Sequence, residues 1–407
     1  MSDNKIEKVL DFDDNGIELL IPALRMILSK DNLKTLRFIE GLDMGEASQA
    51  LDKLKLSHLY FDDNNIDNLL ELAKGKINSF QETNKAYPDI IVIKNMGMIV
   101  VGNNAKHCDR LVDAIDNYKN YEGKIVVENK NSGRAENKTI IVTGAAQGFG
   151  EGIARNLLNE GANIIVADLN EQVGQKTVDL FNASSINNKA IFVKTDVSNI
   201  SSIKNLMRQT IINFGGIDTF ISNAGVLRAG GLDDMTPEDF DFVTKINYNA
   251  YFYCTKVVSA VMKQQTKFAT AEYYADVIQI NSKSGLRGSR ANFAYAGGKF
   301  GGIGLTQSFA LELAPYRIKV NSICPGNYYE GPLWSDPDNG LFIQYLNAGK
   351  VPEAKTIDDV KAFYLAQVPM NKGCTPEDVT KGALYLMEQC GETGQALPIT
   401  GGQVMLN

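Results

Sequence analysis

Tyr295 and Lys299 stand four residues apart, and Ser282 lies thirteen residues before the tyrosine. On a helix, that tyrosine and lysine share one face, one turn apart. A free phenol has a pKa of about 10, too high for a good base near neutrality. A neighbouring ammonium, or another positive charge beside the ring, favours the phenolate and lowers that value. Tyr295 can then take a proton from an alcohol as hydride leaves, or return it in the reverse direction. The Ser282 hydroxyl can hydrogen-bond the reacting oxygen and steady its developing charge. Asn247, in a predicted helix upstream, can hold a water that connects the lysine to solvent. Taken singly these features are ordinary, since Tyr–Lys pairs at this spacing decorate helix surfaces and serines after strands form turns. Their joint occurrence in this order carries the catalytic expectation.

A second constellation precedes the first. Ile140-Ile141-Val142 predicts a strand, Thr143-Gly144-Ala145-Ala146-Gln147-Gly148-Phe149-Gly150 turns out of it, and Glu151–Asn159 continues as a helix. A diphosphate needs close backbone approach and the positive end of a helix, and glycines permit both. Asp168 ends the next predicted strand, where a carboxylate accepts hydrogen bonds from ribose hydroxyls and repels a 2′-phosphate. The cofactor expected is therefore NAD rather than NADP, with a capping role for Asp168 as the alternative. Asp196-Val197 ends the third strand and either contacts the adenine or begins the following helix. Asn223-Ala224-Gly225 ends the fourth, where small residues let the backbone lie against a cofactor or simply turn.

Seven short runs rich in Val and Ile must position these residues: Thr139–Thr143, Asn163–Ala167, Ala190–Lys194, Ile217–Ser222, Val277–Asn281, Ile318–Ile323 and Ala396–Ile399. None carries charge in its middle, as expected of strands buried on both faces of a parallel sheet. Helical segments between them predict an α/β fold, a Rossmann-type doubly wound parallel sheet of about seven strands. A small α/β domain precedes it. Ile17–Leu28 has helical spacing interrupted by Pro22; Ile90–Ile93, a turn at Asn95–Gly97 and Met98–Gly102 read as strand, turn, strand; Ala105–Tyr118 reads as an amphipathic helix. The polar run from Glu128 to Lys138 is the expected linker. The division is 1–130 for the small domain, 131–137 for the linker and 138–407 for the large domain.

Composition narrows the function classes. The chain has 407 residues, 44% hydrophobic and 22% charged, with a formal net charge of −7. That balance argues against nucleic acid or an anionic membrane as the partner. The N-terminus has no apolar signal region, and the apolar stretch Ile90–Val101 is broken by Lys94 and Asn95 and too short to span a bilayer. Five cysteines without a C-x-x-C spacing read as reduced thiols of a cytoplasmic protein. No metal is expected, because the chain has only His58 and His107 and no H-x-H pair. His107, in a predicted helix, is expected at the surface.

These residues resemble the short-chain dehydrogenase/reductase family from about Lys138 to Asn407. The likeness rests on the T-G-x-x-x-G-x-G turn, Asn223-Ala224-Gly225, Asn247, Ser282, Tyr295-Ala-Gly-Gly-Lys299 and Pro325-Gly326. It implies a Rossmann-type subunit, nicotinamide chemistry without a metal, a cofactor site reaching Pro325 and Gly326, and a homodimer or homotetramer. Within that family, Ile278–Gly285, Lys299–Ser308, Val368–Cys374 and Thr400–Met405 are similar to the sorbitol-6-phosphate 2-dehydrogenases. That branch implies interconversion of D-sorbitol 6-phosphate and D-fructose 6-phosphate. A phosphorylated sugar or polyol needs cations nearby, and Lys283, Arg287, Arg290 and Arg228 are the candidates, each otherwise a solvated surface charge. Another sugar, polyol or small hydroxy compound as substrate, or a non-catalytic NAD-sensing protein, are the alternatives. Asn327–Lys372 reads as a substrate lid, whose single tryptophan, Trp334, packs either over the nicotinamide pocket or into a core. Ahead of the large domain, Tyr87–Ile93 and Met96–Lys106 look similar to the C-terminal part of class II aldolase-like domains. Without a set of histidine ligands, that likeness implies a non-catalytic remnant used for assembly or for covering the dehydrogenase.

Overall fold

The computed structural model describes residues 16–41, 44–62, 65–123, 125, 133–338, 340–347 and 349–406. Two sheets organise them. The larger has seven strands: β5 Thr139–Thr143, β6 Asn163–Asp168, β7 Ala190–Lys194, β8 Thr219–Ser222, β9 Ala275–Ile280, β10 Ile318–Pro325 and β11 Ala396–Ile399. Their order across the sheet is β11-β10-β9-β8-β5-β6-β7, and neighbours run parallel throughout. The order reverses direction between β5 and β8, which opens a crevice beyond the carboxyl ends of those strands, the usual place for a ligand in such a sheet. The central strands β5 and β9 are buried along their whole length, and the buried Asp276 near the start of β9 pairs with Lys319 of β10 at 3.1 Å.

Helices cover both faces. On the face holding the catalytic candidates lie α7 Ile200–Phe214, α8 Pro237–Thr244, α9 Ala250–Phe268 and α10 Phe293–Leu313; α5 Gly148–Asn159, α6 Glu171–Ser184 and α14 Pro376–Glu388 belong to the opposite core. The segment after β10 carries three short helices, α11 Pro332–Ser335, α12 Leu341–Asn347 and α13 Ile357–Ala366.

The smaller sheet precedes this unit. Its strands are β1 Thr35–Glu40, β2 His58–Phe61, β3 Ile90–Ile93 and β4 Gly97–Gly102, ordered β1-β4-β3-β2. The β3–β4 pair forms the expected hairpin, and β2 joins β3 in parallel. One face packs under α2 Met44–Leu54 and α4 Ala105–Asp116; the other meets α1 Ile17–Leu28 and α3 Ile66–Asn84. The helix α1 is buried nearly all round rather than amphipathic, with Glu18 and Arg25 buried among its apolar residues. It lies between the two sheets, and its hydrophobic core is continuous with that of α7 and α9.

Two buried ion pairs sit inside that shared core. Arg25 is entirely buried and grips Asp218 with two guanidinium nitrogens, at 3.0 and 2.7 Å. Asp218 also accepts from the Thr139 backbone at 2.7 Å and the Tyr273 hydroxyl at 2.7 Å. Glu18 pairs with Arg208 at 2.5 Å. Of the expected linker, residues 128–132 lie outside the described residues, while Ala135 and Asn137 hydrogen-bond the turn after α5, donating to Glu160 and Gly161 at 2.9 and 3.1 Å.

His107 departs from its sequence expectation. It is 6% exposed, because its turn of α4 faces inward, and its Nδ1 accepts the Asn103 N–H at 3.2 Å. Four cysteines are buried, and Cys390 is exposed. No helix among the described residues is long and apolar enough to cross a membrane.

Candidate active site

The glycine turn is held from beneath by Asn223. Its side-chain amide donates to the carbonyls of Thr143 and Gly144 at 2.9 and 3.0 Å, while the Thr143 hydroxyl accepts from the Asn223 and Ala224 backbone at 3.0 and 3.1 Å. This ties the carboxyl ends of β5 and β8 together. Gly144 and Gly148 adopt φ of 63° and 66°, which favours glycine at both. A Cβ on Gly150 would lie 2.2 Å from the Gly144 carbonyl oxygen, so the first turn of α5 can approach β5 only with hydrogen there. Gln147 precedes α5 in an extended conformation and its side chain makes no cap, so it leaves the helix's first N–H groups without a cap from that side chain.

Asp168 ends β6 beside this turn. Its carboxylate accepts from the Ala146 and Asn170 backbone at 3.0 and 2.9 Å, fixing it between the glycine turn and α6. Asp196 accepts from Ser198 at 2.8 Å, and Asn199 supplies the cap of α7, so Asp196 shapes the turn rather than capping the helix. Val197 is buried behind it. Pro325 closes β10, and the Gly326 N–H donates to the Ile399 carbonyl at 2.8 Å.

Tyr295, Lys299 and Ser282 converge as their spacing requires. Both Tyr295 and Lys299 lie in α10, and the Lys299 ammonium is 5.5 Å from the Tyr295 ring centroid. Ser282 follows β9, with its hydroxyl hydrogen-bonded to Tyr295 and accepting the Ser284 N–H at 3.1 Å. Lys299 is 5% exposed and donates to the Ile280 carbonyl at 2.9 Å. Burial lowers its pKa to about 8.

The tyrosine differs from expectation. Desolvation raises its pKa above the ordinary value and outweighs the opposing Ser282 hydrogen bond. The ammonium is anchored to a backbone carbonyl instead of pairing directly with the phenol oxygen. The chain's own groups therefore keep Tyr295 protonated near neutrality, in the state suited to donating a proton.

Asn247 occupies a π-helical turn, Lys245–Asn249, between α8 and α9. Its side chain accepts from the Val226 N–H and donates to the Val226 carbonyl, both at 2.8 Å. It thus clamps the loop following Asn223-Ala224-Gly225, a role its sequence position did not announce.

Two further residues escaped the sequence reading. Asn281 bridges Gln279 and the Lys299 carbonyl at 2.8 and 2.9 Å and accepts the Ser282 N–H at 2.8 Å, thereby aligning serine and lysine. Its adjacency to Ser282 was the available signal. Gln403 accepts from the Lys283 ammonium at 2.9 Å, bringing the C-terminal segment to the serine loop. No local pattern could have joined residues 120 positions apart.

Of the four cation candidates, Lys283 is the half-buried one. Burial, with Arg287 nearby, lowers its pKa to about 8. Arg287 and Arg290 are exposed, and Arg228 sits outside on the loop, 3.5 Å from Asp239 and over the Phe242 ring. Trp334 packs in the lid's own aromatic cluster with Tyr329, Phe342, Tyr345 and Tyr364. The lid meets the glycine turn through Tyr328, whose ring centroid is 5.0 Å from that of Phe149.

A glycine turn at a helix start, an acid at the next strand end, and a Ser–Tyr–Lys set across the crevice define an α/β oxidoreductase. The chain belongs to the short-chain dehydrogenase family, whose profile matches residues 138–333. It is 32% identical over 271 residues to a sorbitol-6-phosphate 2-dehydrogenase of Escherichia coli (strain K12), a match covering 66% of this chain and 99% of that one. It is 30% identical over 268 residues to a 3-oxoacyl-[acyl-carrier-protein] reductase of Chlamydia pneumoniae, covering 65% and 96%. The crystal structure of the sorbitol-6-phosphate 2-dehydrogenase SrlD from Erwinia amylovora superposes with a TM-score of 0.60 at 33% identity, over 66% of this chain and all of that one. The family uses NAD or NADP for chemistry at CH–OH groups.

Proposed function

We propose that this protein is an NAD-dependent dehydrogenase that interconverts D-sorbitol 6-phosphate and D-fructose 6-phosphate. The observation that carries the substrate is Lys283. It follows Ser282 directly, its ammonium is half-buried and held by the neutral Gln403 amide, and two similar proteins bear this activity in their names. A cation so placed is suited to a phosphate on a substrate whose reacting oxygen sits at Ser282.

The residues fit a dinucleotide. The uncapped start of α5 offers backbone N–H groups to a diphosphate, and the glycines leave room for close approach. Asp168 is placed for the ribose hydroxyls, and its charge disfavours a 2′-phosphate. When bound, the nicotinamide cofactor exchanges a hydride with the substrate carbon. In reduction, Ser282 and Tyr295 hold the carbonyl oxygen, and the Tyr295 O–H donates its proton as the carbon–oxygen π bond becomes an alcohol C–O bond. The phenolate left on Tyr295 is stabilised by the Lys299 ammonium, then reprotonated. In oxidation the same atoms act in reverse.

The remaining partners follow from the same reading. The enzyme works in the cytoplasm, without metal, nucleic acid or membrane, and assembles as a homodimer or homotetramer. Exposed aromatic and aliphatic side chains on α9 and α10, including Phe252, Phe300 and Leu311, support the assembly. The region before residue 130 acts as a non-catalytic partner of the dehydrogenase unit, joined to it through the core around α1.

Two substitutions test the details. Asp168→Ala should narrow the preference for NAD over NADP by about tenfold or more, roughly 1.4 kcal/mol, measured as the ratio of kcat/KM for the two cofactors. An unchanged ratio removes Asp168 from cofactor selection. Lys283→Met should raise KM for the phosphorylated sugar by about thirtyfold, the loss of roughly 2 kcal/mol from one charged hydrogen bond. Because Lys283 loses its proton as pH rises through about 8, the advantage of phosphorylated over unphosphorylated substrate should decline above that pH. Comparing kcat/KM for both sugars at each pH isolates this decline from any titration of Lys299, and a flat ratio would count against Lys283.

A further inference from the structure

A cavity of ≈ 720 Å³ opens at one end of the small sheet, far from the glycine turn. It is walled by the loop before β1, the ends of α2 and α3, the start of β3, and the link from β4 into α4. Its polar lining is rich in donors. Lys34 is half-buried there, with its ammonium over the Tyr87 ring at 5.4 Å. The ammonium's hydrogen-bond partner is the neutral Asn103 amide oxygen at 2.5 Å, while Asp31 acts on it through space. Lys53 and Lys85 also line the space, so three cations face it.

The neutral histidine points the same way. His107 is 6% exposed, and its Nδ1 is occupied by the Asn103 N–H, which leaves the ring proton on Nε2 as a donor. Burial lowers its pKa, so the neutral ring is the form present near neutrality. The Tyr87 ring lines the cavity, while its hydroxyl is closed off from solvent and faces the Lys30 backbone and the Gln81 side chain. Of the two acids in the lining, Asp89 is occupied by the Ser57 backbone and hydroxyl at 3.0 and 2.7 Å. Its carboxylate is therefore committed to joining β2 and β3. Apolar side chains such as Leu54, Leu56 and Leu111 complete the wall. The volume exceeds what a bare ion fills and lies in the usual range for small organic ligands.

We propose that this cavity is a second ligand site, which binds a small phosphomonoester between Lys34, Lys85 and His107 Nε2. The two lysines neutralise the dianion, the histidine donates to one of its oxygens, and the apolar wall takes the organic part. The site is independent of the dehydrogenase crevice and of the substrate proposed for it. Asn103, at the back of the cavity, accepts from the Asn137 side chain at 2.9 Å, just before β5 begins. The glycine turn leaves the opposite end of that strand, so the two sites lie toward opposite ends of β5.

The chain's two histidines provide a direct readout. The full-length protein, labelled at the histidine rings, would be titrated by NMR with inorganic phosphate, with fructose 6-phosphate, with fructose and with chloride at matched ionic strength. His58 is exposed on the edge strand β2 and does not line the cavity, so it serves as the internal control. The His107 resonance should move saturably with phosphate or its ester, and not with fructose or chloride, while His58 stays still. Equal affinity for both phosphates means that the phosphate group alone is recognised; tighter binding of the ester means that the organic part contributes. Lys34→Met should weaken this binding about tenfold or more, close to 1.4 kcal/mol. Lys85→Glu, at an exposed position, should do the same without risk to folding. Lys283→Met should leave the titration unchanged, which separates this site from the dehydrogenase substrate site. A His107 resonance that ignores phosphate, follows chloride equally, or shifts undiminished in both cavity variants would overturn the proposal.

Discussion

Tyr295→Phe is expected to reduce turnover on the order of a thousandfold, within the range associated with losing a general acid–base, while leaving cofactor affinity within about twofold. The substitution removes one oxygen from a half-buried ring and keeps its packing in α10. The Ser282 hydroxyl loses a hydrogen-bond partner but keeps the Ser284 N–H, and Lys299 keeps the Ile280 carbonyl. The site therefore stays assembled with its proton donor missing. Steady-state rates together with NADH-binding fluorescence check both halves of the expectation. Near-normal turnover would remove Tyr295 from proton transfer, and a collapse of NADH binding would mean that the ring's hydroxyl supports the fold of the crevice.

The second large effect concerns stability. Arg25→Met should destabilise the protein by about 3–5 kcal/mol, because it strands a buried carboxylate. Asp218 would keep its bonds from Thr139 and Tyr273 but lose both guanidinium contacts. Replacing both partners, Arg25→Met with Asp218→Asn, should cost less than the sum of the single changes, since no uncompensated charge remains. Denaturant melts of the four proteins measure this, and additive losses would show that the pair is not coupled. The sign of the pH dependence follows from the same contact. Burial alone would raise the Asp218 carboxyl, but Arg25 and the Thr139 N–H hold it below the ordinary carboxylate value. Its contribution to stability is thus complete above the unfolded-state value, about 3.9, and is lost as pH falls through the lower folded value.

The dehydrogenase unit was legible because its signals are local. All seven strands announce themselves as short runs whose charges, such as Asp276 and Lys319, stay near the ends, and Thr139–Thr143, Ala190–Lys194 and Ala396–Ile399 have the expected ends. Tyr295 and Lys299 meet because helical spacing alone brings them together. The first region was less legible. Thr35–Glu40 mixes Arg37 and Glu40 with its apolar residues, and His58–Phe61 is an edge strand of four residues, so neither stands out from its surroundings. The burial of α1 was hidden because its charges, Glu18 and Arg25, have partners some 190 residues away in the chain. The Lys283–Gln403 contact, 120 residues apart, was invisible for the same reason, while the Asn247 clamp joins a helix to a loop 21 residues before it with no local pattern to mark it. The raised pKa of Tyr295 reflects burial, which residue spacing does not reveal.

The most direct test is loss of NADH absorbance on adding fructose 6-phosphate to the purified protein, beside fructose and NADPH controls. Rapid oxidation with the phosphorylated sugar and NADH, and little with either control, is the expected result. Demonstrated NADH binding with no turnover of fructose 6-phosphate, or equal turnover of fructose, would contradict the proposed substrate while leaving the family and its fold in place.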